Sequence, residues 1–144
     1  MTDSTVTGTC VCGSIHYTVN GRAKRFYHCH CQRCRKATGT GHASNLLISP
    51  ETGITWTRGE EYLSRYKVPD AERFYNCFCK NCGSPMPRVV PELKAVLIPA
   101  GSLDVEPPIT PQAHIFWGSR AQWSCQDSLP VFTEYPSTTK NHSE

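Results

Sequence analysis

Nine cysteines mark this 144-residue chain, and eight of them lie within three residues of another cysteine. Cys10-Val11-Cys12-Gly13 and Cys79-Lys80-Asn81-Cys82-Gly83 each place a glycine directly after the second thiol. A metal-binding knuckle turns the chain sharply, so that backbone N–H groups face the sulfurs, and glycine reaches the positive φ such turns often need. Four soft thiolates in a tetrahedron suit Zn²⁺, and a site with four protein ligands is closed and structural. The two pairs predict one zinc that staples the start of the chain to its middle and contributes folding energy directly. Iron accepts the same sulfur tetrahedron, and the spacing alone does not separate the two metals.

The remaining cluster, Cys29-His30-Cys31-Gln32-Arg33-Cys34, offers three thiolates and no following glycine; Arg35 and Lys36 come next. Three protein ligands with one vacant position is the arrangement of a catalytic zinc. Such an ion lowers the pKa of a bound water or thiol and creates a nucleophile near neutral pH. Arg35 and Lys36 are expected to attract the carboxylates of an anionic substrate. The competing reading closes this site with a fourth side chain. Cys77 is the first candidate, because a residue two before Cys79 in a strand projects to the same side; His30, His28 and His42 follow.

Several other residues invite weaker expectations. Asp104 is expected to cap a turn. His114 and Arg120 flank Ile115-Phe116-Trp117, read as a core segment or a pocket edge. Trp56, Trp117 and Trp123 read as core or pocket wall. Cys125 stands apart and reads as a buried, inert thiol.

The elements that must position these groups are mostly strands. Eleven prolines and ten glycines suit short strands joined by turns. Alternation of apolar and polar residues predicts strands over 14–19, 42–49, 54–58, 62–68, 73–79, 95–98 and 114–117. Turns are expected at Asn20-Gly21, Thr52-Gly53, Arg58-Gly59, Pro69-Asp70, Pro99 to Gly101 and Pro107-Pro108. One short helix is predicted over 32–38, stopped by Gly39. Residues 1–7 and 137–144 are expected to be loose, flanking one domain over 8–136.

The first ten residues show no basic stretch leading into an apolar run, and no segment approaches the ~20 apolar residues that cross a bilayer. A cytoplasmic, reducing setting is expected, in which clustered cysteines hold metal rather than disulfides. The formal charge of +3 is cancelled once seven thiolates and two divalent ions are counted. The basic residues are scattered, so neither a nucleic acid nor a membrane is expected as a partner.

The order CVCGSIHY, CHCQRCRKATG, FCKNCGS, IPAGSLD, HIFWGSRAQW and LPVFTEYP resembles the glutathione-dependent formaldehyde-activating enzyme family, which also contains centromere protein V-like proteins. The resemblance spans nearly the whole chain. It implies a mainly β, Mss4-like β-tent, a structural zinc on Cys10, Cys12, Cys79 and Cys82, and a second zinc on Cys29, Cys31 and Cys34. It also implies a zinc-dependent carbon–sulfur lyase that forms S-hydroxymethylglutathione, with glutathione as co-substrate. Cys77 lies outside the family's seven-cysteine pattern. Two alternatives stand beside this expectation: a zinc- or glutathione-dependent enzyme acting on a larger metabolite, and a non-catalytic zinc module that binds a protein. A deep apolar pocket walled by the tryptophans would favour the larger metabolite.

Overall fold

The computed structural model describes residues 3–72 and 74–136. The fold is mainly β. Strands β1 (Ser4–Thr9), β2 (His16–Cys29), β3 (Ala43–Arg58), β7 (Ala95–Pro99) and β6 (Arg88–Val90) form the main sheet in the order β1-β2-β3-β7-β6. Those neighbours pair antiparallel, while β8 (Ala113–Ile115) adds in parallel to the end of β2. A separate hairpin joins β4 (Leu63–Lys67) to β5 (Tyr75–Cys79). The helix α1 (Gln32–Thr38) is where the sequence predicts it, and Gly39 ends it in a left-handed conformation, φ 70°.

The core forms where the inward faces meet. Val6, Tyr17, Val19, Leu46, Ile48, Val96 and Ile98 from the main sheet pack with Cys77 and Cys79 of the hairpin and with Met86. Alternation along β2 buries Tyr17, Val19, Gly21 and Ala23, then Phe26, because a register shift between Ala23 and Arg25 changes the parity of the inward face. The tail expected over 137–144 lies outside the described residues. Residues 4–7, expected to be loose, are the first four of the six residues of β1, held by pairing from Ser4 opposite Gly21 to Thr9 opposite His16.

Two expected turns are not chain reversals. Asn20-Gly21 lies inside β2 and Thr52-Gly53 inside β3. The two sites face each other: Val19 pairs with Ile54 and Gly21 with Pro50, so an irregular step occurs in both strands together. The strands therefore bend as a pair and continue, which carries β2 on to Cys29 and its cluster.

The turn at Arg58-Gly59 does form. Gly59 sits at φ +79°, and a Cβ there would collide with the Ser14 backbone carbonyl. Gly59→Ala is expected to cost about 2–4 kcal/mol, the left-handed penalty plus overpacking against backbone. Urea unfolding measures it, and a loss under about 1 kcal/mol would contradict this account.

Candidate metal centres and cleft

The first knuckle follows β1 and the second follows β5, and the hairpin brings them together. The sulfurs of Cys10, Cys12, Cys79 and Cys82 all lie within 4.8 Å of one another. Gly13 and Gly83 adopt φ 79° and 81°, and their N–H groups donate to Cys10 O and Cys79 O at 2.9 and 2.6 Å. The Ile15 N–H donates to Cys10 Sγ at 3.2 Å, and the Asn81 amide donates to Cys12 Sγ at 3.2 Å. Hydrogen bonding to Ser14, then Asn81, draws the Cys12 thiol down to about 5, while burial pushes Cys79 up to about 11.

The donor set fits a tetrahedral metal. Bonds of about 2.3 Å from one ion to four sulfurs separate those sulfurs by about 3.8 Å. Cys10 Sγ and Cys12 Sγ are 3.6 Å apart, and Cys12 Sγ and Cys79 Sγ 3.9 Å. A disulfide needs about 2.0 Å, so these thiols are free of each other.

The second cluster is built at the end of β2 and the start of α1. Cys31 caps the helix, its Sγ accepting the Cys34 N–H at 3.3 Å. This turn folds Cys29, Cys31 and Cys34 together, with all three sulfurs within 4.8 Å. Cys29 and Cys34 are buried, packed beside Ala43, Phe74 and Ile115. A hydrogen bond from Cys34 draws the Cys29 thiol down to about 6, and that bond, then burial, pushes Cys34 up. Among the described residues, no fourth cysteine, histidine or carboxylate joins this group. Cys77 is buried in the hairpin and outside it.

Cys34 and Cys77 instead share the wall of a cleft of about 180 Å³ between α1, β3 and the hairpin. Phe74, Asn45, Asn76, Met86 and Arg88 also line it. Arg88 is the residue that the sequence reading missed. Its guanidinium lies 5.2 Å from the Phe74 ring centre and 5.1 Å from that of Tyr75, which fixes a cation beside the cleft. A lone arginine in β6 carries no local signal, so nothing in the sequence pointed to it. A larger cleft of about 310 Å³ shares Ser44 and Pro85 with the first and includes His42.

Arg35 and Lys36 line neither cleft. Arg35 donates to the Ser119 carbonyl at 3.0 Å, and Lys36 is exposed in the last turn of α1. Asp104 accepts from the Thr9 hydroxyl, and its N–H donates to Thr7 O at 2.8 Å, so it ties the loop after β7 to β1.

The tryptophans do not wall the cleft. Trp56 packs edge-on against Tyr17 at 6.0 Å, and Trp117 and Trp123 are exposed. Cys125, expected to be buried, is exposed too, because the segment carrying it runs over the surface. His114 lies opposite His28 in the parallel β2–β8 pairing and joins a cluster of His28, His30 and His42. Burial, then His42 and His114, lowers the basicity of His30, and burial, then His42, that of His28.

The comparisons with known proteins agree with this architecture. A crystal structure of a Rhodobacter sphaeroides protein superimposes with a TM-score of 0.51, covering 75% of this chain and 98% of that one at 19% identity. At that identity the likeness shows the fold alone. No curated protein matches the chain. The sequence pattern described as glutathione-dependent formaldehyde-activating enzyme matches residues 5–119, the span holding both cysteine centres and the cleft. The chain therefore belongs to the glutathione-dependent formaldehyde-activating enzyme family.

Proposed function

We propose that this protein is a zinc-dependent carbon–sulfur lyase that interconverts glutathione plus a small aldehyde, formaldehyde foremost, with their thiol adduct. In the forward direction the glutathione sulfur bonds to the carbonyl carbon, and the thiol proton ends on the former carbonyl oxygen. The observation that carries this reading is the three-sulfur group at Cys29, Cys31 and Cys34, with Cys34 on the wall of a compact cleft. Zinc held by those thiolates supplies a position at which a thiol loses its proton near neutral pH.

The chain's own residues do the rest. Arg88 binds a glutathione carboxylate, its plane held by Phe74 and Tyr75. Asn45 and Asn76 offer amide hydrogen bonds to the peptide part, while Phe74 and Met86 exclude water from the reacting end. The adjoining cleft has room for the remainder of the tripeptide. Arg35 and Lys36 add positive charge near the same helix and draw the anion toward it.

The compact cleft without tryptophan walls speaks against the larger metabolite. Exposed Phe116, Trp123, Leu129 and Val131 favour the second reading, a zinc module that docks a protein. Exchange NMR on ¹³C-formaldehyde and glutathione separates the two. The lyase reading predicts at least about tenfold faster exchange with protein, and Arg88→Met is expected to raise the glutathione KM about tenfold, the loss of a charge-assisted hydrogen bond. Exchange no faster than the protein-free control would remove the lyase reading.

A further inference from the structure

A second concentration of metal-binding side chains lies beside the Cys29 cluster. His30 sits between two of its cysteines in sequence, but its ring packs against Trp117, His42 and His114, with ring centres 5.0 Å away in each case. Its Nε2 lies 2.9 Å from His114 Nδ1. One donor atom from each of His30, His114 and Cys125 lies within 4.8 Å of the other two. His30 directly follows β2, His114 lies in β8 and Cys125 in the segment that follows. We infer that His30, His114 and Cys125 form a third metal site, with two nitrogens and one sulfur, for a divalent ion of the zinc class.

Burial, backbone conformation and local hydrogen bonds describe how these side chains are held. His30 is fully buried, yet its Nδ1 makes no hydrogen bond among the described residues. The nitrogen that faces His114 is Nε2, so the ion would bind there in place of the Nε2–Nδ1 hydrogen bond, while His30 Nδ1 lies on the other side of the ring and is not a ligand of this site. Cys125 holds φ 60°, and Phe116, at the other end of the returning segment, holds φ 55°. Left-handed backbone at non-glycine residues is strained, and such strain gathers where a side chain must be aimed. Arg35 anchors that segment to α1 by donating to Ser119 O at 3.0 Å, and within it Arg120 donates to Trp117 O at 2.9 Å.

The geometry suits the ion. Metal–nitrogen bonds near 2.0 Å and a metal–sulfur bond near 2.3 Å put the nitrogens about 3.3 Å apart and each about 3.6 Å from the sulfur. His114 and Cys125 are exposed and free to adjust. Two imidazoles and a thiolate match zinc and cobalt(II) better than magnesium or calcium, which prefer oxygen. The Cys125 thiol proton leaves to solvent when the ion binds. This site does not depend on the lyase reading.

The test uses the full chain equilibrated with zinc and desalted, followed by metal analysis. Wild type is expected to retain three zinc ions. Cys125→Ser, His114→Ala and Cys34→Ser each lose one, and Cys34→Ser with Cys125→Ser loses two. Cobalt(II) added to chain whose cysteine clusters hold zinc is expected to show a sulfur-to-cobalt charge-transfer band. His114→Ala should weaken that binding by about 100-fold or more, at least the cost of losing an indirect metal partner. Zinc should also slow alkylation of Cys125 in wild type, a readout that needs no variant to fold. No loss of an ion on Cys125→Ser or His114→Ala relative to wild type, or an unchanged alkylation rate, would overturn the site. Cys34→Ser reports on the neighbouring cluster, so the two can fail separately.

Discussion

Replacing Cys79 with serine is expected to unfold the domain at 25 °C. Cys79 is fully buried at the end of β5, within the four-sulfur group and in the main core cluster. It joins two segments that no long strand pairing links, the knuckle after β1 and the hairpin β4–β5, which forms its own two-stranded sheet. An isolated hairpin is at best marginal in water, so a zinc held by the four-sulfur group would supply much of what seats it. Structural zinc in small domains contributes about 10–16 kcal/mol of apparent binding energy, comparable with the ~5–15 kcal/mol total stability of a domain. Serine is a poor zinc ligand and leaves a hydroxyl in the core. Circular dichroism melts with zinc analysis provide the check. A variant that loses one zinc yet melts within about 4 °C of wild type, a shift of ~1 kcal/mol, would show that the centre does not hold the fold.

Cys34→Ser is expected to have the opposite profile: catalysis falls by at least about 100-fold while the fold survives. Cys34 belongs to a small satellite cluster with Cys29 and Ala43, and the main core does not include it. Its N–H still donates to Cys31 Sγ, and its carbonyl still accepts from Thr38 Oγ1 at 2.8 Å, so α1 keeps its start and its last turn. The buried hydroxyl costs about 1–3 kcal/mol. With two thiolates left, the cluster would hold zinc only weakly, and the proposed thiol-activating position would be lost. Exchange NMR, zinc content and a melt on the same sample give the three readouts. Activity within twofold of wild type, with zinc content unchanged, would remove Cys34 from the machinery and with it the proposed mechanism.

The two substitutions change the same atom, sulfur to oxygen, in cysteines that are both buried. They are expected to separate because the four-sulfur group bridges distant segments, whereas the three-sulfur group is gathered by a local turn. Sequence spacing sees the local part well. The pattern Cys29-x-Cys31-x-x-Cys34 is short enough for one helical turn to bring the sulfurs together, and Gly39 gives the stop that α1 uses. Strand lengths were less legible. Asn20-Gly21 and Thr52-Gly53 have turn chemistry, but their opposite placement in β2 and β3 turns two expected reversals into one shared irregularity. A turn propensity is a local preference, and pairing along both strands outweighs it.

The sequence alone determined the chemistry of the cysteine clusters, the glycines that let the knuckles turn and the short helix that gathers the second trio. These depend on neighbours a few residues apart, where covalent spacing limits the geometry. Only the tertiary structure decided that Arg88 stands at the cleft, that Cys77 stays out of the second centre, and that His30, His114 and Cys125 meet. Each of those depends on strand register and on which edges pair. Register is set by the burial of the whole sheet, so no residue carries it locally.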